Sequence, residues 1–157
     1  MRKSCVLAVI ACAAAAAAAN AGAAFAPGGP APKALTGTWT TTLTRADEAR
    51  SAAPDHWPNQ SRWELVIVNA GDGVNPRALG LRPKGEGGDS LGFGVTGNRL
   101  FLKCLDGNGI PTAGYGTYAW KLDKGLLRLS LVKEPCKNKD LRNRITVLTS
   151  HPWRKAT

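Results

Sequence analysis

The sequence predicts an all-β domain: an antiparallel up-and-down barrel of eight strands, with one short helix in its first loop. Three observations lead there. Apolar and polar residues alternate with period two through most of the chain. The segments so patterned are joined by short turns rich in Gly, Pro, Asn and Asp. No crossover of the dozen or more residues that parallel pairing needs is available. Eight antiparallel strands in series either leave two exposed edges or close on themselves, and closure alone removes the edges. A two-sheet sandwich is the alternative.

The first strand reads from Leu35 to Thr44. Leu35, Trp39 and Leu43 share one face, and Thr36, Thr38, Thr40, Thr42 and Thr44 fill the other, as suits a strand with one wet side. Arg45 to Ala52 is a two-turn helix former, stopped by Pro54 and Pro58. Trp63 to Asn69 is the second strand and Val74 to Leu81 a weak third. Leu91 to Val95 and Leu100 to Cys104 flank Gly97-Asn98, a two-residue hairpin signal. Tyr118, Trp120 and Leu122 alternate on one late strand and Leu127, Leu129 and Leu131 on the next, with Asp123-Lys124-Gly125 turning between them. Arg144 to Thr149, with Ile145 and Val147 pointing one way, reads as the last strand.

The first 26 of 157 residues have the order of a secretory signal: Met1-Arg2-Lys3, an apolar stretch from Val6 to Ala19, then the small-x-small Ala24-Phe25-Ala26. Cleavage near Ala26 leaves 131 residues at about +8, a single domain at 34–157 behind a flexible Pro/Gly linker at 27–33. A lipoprotein acylated at Cys12 is the rival reading. Either way the protein is expected outside the cytoplasm, secreted or periplasmic. Beyond residue 26 no apolar run nears the ~18–20 residues that span a bilayer. Cys104 and Cys136 then form an even pair in an oxidising compartment, so a disulfide is expected, stabilising by roughly 3–4 kcal/mol on the chain-entropy model. Neither lies in a CxxC, and no His spacing points to zinc, so no metal is expected.

Gly37-Thr38-Trp39 resembles the G-x-W of lipocalins and related calycins, whose tryptophan closes the barrel floor under a basic residue from the end of the last strand. Arg154 or Arg144 would be that basic residue. The stretch from Gly114-Tyr115-Gly116-Thr117-Tyr118-Ala119-Trp120 to His151-Pro152-Trp153-Arg154 is similar to small secreted bacterial domains of lipocalin-like type. Leu35 to Thr40 equally resembles the opening strand of avidins. The T-D-Y motif is missing, and no helix follows the last strand. The resemblance implies an eight-stranded barrel with residues 45–60 as a lid over its mouth.

Such a barrel either fills with side chains or holds one small molecule. Trp63, Tyr118, Trp120 and Leu129 are the candidate ligand-binding residues, and Gly37, Trp39 and Arg154 the structural ones. The leading expectation is a monomeric, non-enzymatic carrier of a small apolar or aromatic molecule, without cofactor. The alternative is a module that binds or inhibits an extracellular protein, or an anionic cell-envelope component, through its surface. That reading predicts a filled interior and an exposed apolar patch near the Trp57 loop or the late basic cluster. Lys133, Lys137, Lys139, Arg142, Arg144, Arg154 and Lys155 form this cluster, which lacks the interleaved aromatics of a nucleic-acid platform, so no nucleic-acid partner is expected. No catalytic residue is expected. His56 and His151 are expected in loops, and neither G-x-S-x-G nor H-E-x-x-H occurs. An enzyme would need polar groups converging at the mouth, such as Arg128 with Asp55 and His56. Asp106-Gly107-Asn108-Gly109 reads as a turn, since the closing Glu of a calcium loop is missing.

Overall fold

The computed structural model describes residues 26–50, 62–69, 77–85, 89–106, 110–136 and 139–157. β1 (Gly37–Thr42) leads through α1 (Arg45–Ala49) to β2 (Arg62–Val68), β3 (Ala78–Pro83), β4 (Asp89–Thr96), β5 (Arg99–Leu105), β6 (Pro111–Asp123) and β7 (Leu126–Lys133). α2 (Lys139–Thr149) then precedes β8 (Trp153–Lys155). Each strand pairs antiparallel with the next, and β8 returns to β1, so the sheet is a closed eight-stranded up-and-down barrel. The sandwich alternative is thereby excluded. Among the described residues no helix is long and apolar enough to cross a membrane.

Alternation decides which side of the wall each residue takes. Leu65, Ile67, Leu100, Leu102, Phe93, Tyr118 and Leu127 are fully or almost fully buried, while their odd-or-even neighbours face out. The registers Trp39↔Leu65↔Leu81, Phe93↔Leu102 and Leu100↔Tyr118 bring the apolar stripes together around one axis. Trp39, Trp153, Tyr118 and Phe93 are the largest of the buried side chains, each contributing about 1.5–3 kcal/mol by burial. The β6–β7 connection is a two-residue turn in which Lys124 (φ 50°) and Gly125 (φ 77°) are both left-handed, the type I′ geometry that matches strand twist.

Three expectations need correction. Arg144 to Thr149 is not a strand but lies in α2, and the eighth strand is the shorter Trp153–Lys155. The β-branched run Ile145-Thr146-Val147 imitates a strand, whereas the residues that turn inward, Arg144, Val147 and Leu148, follow helical spacing. Ile145 is only half-buried. The weak third strand runs from Ala78 to Pro83, displaced toward the C-terminus from 74–81. Finally, residues 27–33 do not trail free. Gly29 exchanges two backbone hydrogen bonds with Val95 (2.8 and 3.0 Å), and Ala31 exchanges two with the Asn69 amide (2.8 Å each). Leu35 is buried beneath the start of β1.

Candidate functional site

Three of the expected ligand-binding residues, Tyr118, Trp120 and Leu129, lie on the adjacent strands β6 and β7, and the fourth, Trp63, lies on β2. Trp120 stands opposite Leu129 in the β6–β7 ladder, and Tyr118 lies two residues before Trp120. Tyr118 and Leu129 are buried among other core side chains, Trp63 is 9% exposed, and Trp120 is half-buried against the same cluster. Leu122, expected to face inward, is half-buried there too. The Trp120 Nε1 is shut off from solvent and has no hydrogen-bond partner among the described residues.

Gly37 and Trp39 open β1. The Trp39 indole N–H donates to the Leu35 carbonyl (2.9 Å), and the cation over its ring is Lys155, with Nζ 5.3 Å from the centroid. Arg154 points away from that ring, exposed and opposite Thr40. Neighbouring residues on a strand face opposite sides, so moving one position changes which cation reaches the tryptophan.

Arg144 has a different task. It is buried, and its guanidinium donates to Glu134 (2.8 and 3.2 Å), the Lys103 carbonyl (3.2 Å) and Cys136 Sγ (3.3 Å). The Tyr118 hydroxyl donates to the same Glu134 oxygen. Burial pushes the Tyr118 phenol up from its ordinary value while the Arg144 charge pulls it down, and burial prevails, so Tyr118 stays a neutral donor. Cys104 and Cys136 lie at disulfide distance, Cα atoms 5.4 Å apart, and attach β5 to the segment that enters α2. Cys104, Glu134 and Cys136 are the ligand-type groups that cluster here, but the guanidinium of Arg144 already neutralises Glu134 and abuts the sulfur, which leaves a poor seat for a metal cation.

A second polar group is centred on Asp47. Thr44 and Asp47 form a capping box at the start of α1: the Thr44 backbone N–H and hydroxyl donate to Asp47 Oδ2 (2.7 Å each), and the Asp47 N–H donates back to Thr44 Oγ1 (3.3 Å). Arg50 pairs with the other carboxylate oxygen, and His151 Nε2 lies 2.7 Å from Oδ2. Burial opposes ionisation of Asp47, but these hydrogen bonds outweigh it and hold its carboxyl below the usual carboxylate range. The short first-loop helix is thus tied to the α2–β8 connection.

His151 stands where two half-open clefts meet. One, of about 370 Å³, is lined by Trp120, Leu129, Asn98, Lys121, Arg128 and His151. The other, of about 400 Å³, is lined by Thr40, Thr42, Arg62, Arg154 and His151. Sequence reading placed His151 in a loop and foresaw neither the Asp47 contact, across 104 residues, nor the clefts. Within the late basic cluster, Lys133, Arg154 and Lys155 are exposed but Arg144 is buried, so the cluster is not one surface patch. Lys137 and the side chains of Lys139 and Arg142 fall outside the described residues, as do Asp55, His56, Trp57 and the rest of the expected lid beyond Arg50. No family model, no curated protein and no solved structure matches the chain.

Proposed function

We propose that this chain is a non-enzymatic binding module that works outside the cytoplasm through the outer surface of its barrel. The observation that carries this reading is the state of the interior. Trp39, Trp153, Tyr118, Phe93 and leucines from β2, β3, β5 and β7 are fully buried in one cluster, as in a barrel whose side chains take the place of cargo. The clefts at His151 are instead half open: exposed Lys121, Arg128 and Ser130 line the first beside Trp120 and Leu129, and exposed Arg62 and Arg154 line the second beside threonines of β1. Leu131 and Val132, 44% and 48% exposed beside Lys133, add an apolar patch at the end of β7. The lipocalin-like features at Gly37 and Trp39 fit this reading as a shared way of closing a barrel floor, independent of any ligand.

A second reading, a carrier of a small apolar or aromatic molecule, is favoured by Trp120. Its unpartnered indole N–H and half-buried ring at the first cleft are what a ligand with one acceptor would use. Titration with fatty acids, a retinoid and haem separates the two, read by tryptophan fluorescence. Surface action expects no saturable change. A saturable quench that Trp120→Leu removes would overturn it in favour of the carrier.

A further inference from the structure

We infer that the two clefts form one continuous belt that binds a linear polyanion, a polymer bearing repeated sulfate, phosphate or carboxylate groups. This rests on the surface-binding reading and names the ligand class of that surface. The belt follows the order of the strands. Lys121 on β6 stands directly opposite Arg128 on β7, His151 follows at the α2–β8 connection, Arg154 lies on β8 opposite Thr40 of β1, and Arg62 on β2 stands opposite Thr42.

Among the described residues the four Lys and Arg side chains of this row have no acidic partner. Lys121, Arg128, Arg62 and Arg154 are all exposed. Neither cleft is lined by an Asp or Glu among those residues. Glu64, which faces Thr40 across the ladder, is engaged by Arg82 (3.4 Å). Like charges directly opposite on a sheet repel and cost stability, so the Lys121–Arg128 pair is a place where an anion between them relieves repulsion. Threonine and serine hydroxyls from Thr40, Thr42 and Ser130, with the Asn98 amide, supply neutral donors between the cations.

Length argues for a chain over a single ion. Four strand spacings separate Lys121 from Arg62, roughly 19 Å at ~4.8 Å each, with His151 at the saddle between the clefts. One sulfate or phosphate reaches only one end, whereas a polymer meets Lys121, Arg128, Arg154 and Arg62 in turn.

The test uses the full chain with heparin and long-chain polyphosphate as probes and uncharged dextran as control, at about 50 mM and about 300 mM salt. The expected result is saturable binding to at least one polyanion and none to dextran, weakened severalfold at the higher salt. A belt variant, Lys121→Ser with Arg128→Thr, Arg62→Thr and Arg154→Thr, is expected to bind at least tenfold more weakly. A charge-matched variant off the belt, Lys33→Ser with Arg45→Ser, Lys84→Ser and Arg77→Ser, keeps the affinity. Circular dichroism confirms that both variants fold, and single belt substitutions replace the quadruple one if it does not. The ratio of heparin to polyphosphate affinity tells sulfate from phosphate sources. Equal losses in both variants, or no binding to either polyanion at low salt, would overturn the belt. The surface reading survives that result, because it falls only on saturable uptake of an apolar molecule.

Discussion

Arg144 and Glu134 are both almost sealed from water, and the pair is joined at 2.8 Å inside the barrel. Removing one partner of such a pair leaves a buried charge without compensation. Arg144→Met is therefore expected to lower stability by about 3–5 kcal/mol in urea denaturation, and Arg144→Met with Glu134→Leu to recover most of that loss. A cost under about 1 kcal/mol for the single change would contradict the buried pairing. Gly116 shows how tightly the pair is enclosed: a Cβ there would lie 2.5 Å from Glu134 Oε2 and 2.6 Å from Arg144 Nη2. Asp47 is the other charged residue with structural consequences. Its folded-state acidity is strengthened, so the stabilisation it supplies is complete above the ordinary carboxylate value of 3.8 and is lost as pH falls below it. Asp47→Asn should cost about 1–2 kcal/mol at pH 7 and progressively less below about pH 4, read from thermal melts across that range. A cost that stays constant with pH would show that the carboxylate charge plays no part.

At the scale of elements, the turns were legible and the last strand was not. Gly97-Asn98 and Asp123-Lys124-Gly125 mark hairpins because positive φ is chemically expensive for most residues, and glycine announces it. Lys124 bears that expense itself, at φ 50°. Lys124→Asn places the preferred residue in a type I′ turn and is expected to raise stability by about 0.5 kcal/mol, seen as a higher urea midpoint. α2 was misread because Ile145, Thr146 and Val147 favour strands locally. Its helical state is held by contacts outside the helix: Arg144 with Glu134 and, 41 residues away, with the Lys103 carbonyl, and the Leu148 carbonyl accepting from the Trp153 indole (3.1 Å). The Pro/Gly stretch at 27–33 looked like a linker for the same kind of reason, since its partners Asn69 and Val95 lie far along the chain.

For the molecule as a whole, Cys104 and Cys136 bound a segment 32 residues long that contains all of β6 and β7. Cross-linking a loop of that length stabilises by about 3–4 kcal/mol on the chain-entropy model, a large share of the ~5–15 kcal/mol of an ordinary domain. Cys104→Ser with Cys136→Ser should lower stability by that order in equilibrium denaturation. An unchanged midpoint would mean that the thiols are free in solution. The candidate site belongs to this scale. Lys121, Arg128, His151, Arg154 and Arg62 are spread over 93 residues and become neighbours only when β8 closes onto β1.

The amino-acid sequence by itself determined the all-β class, the pattern of inward apolar residues, the hairpin turns and the cysteine pair, since each follows from local spacing and short-range backbone preference. Tertiary structure alone decided that Arg144 is a buried partner of Glu134, that Lys155 and not Arg154 covers Trp39, and that His151 joins two cationic clefts. Those outcomes depend on strand register and on closure of the sheet. A one-residue shift turns a side chain to the opposite face, and no local signal records which distant residue will stand across from it.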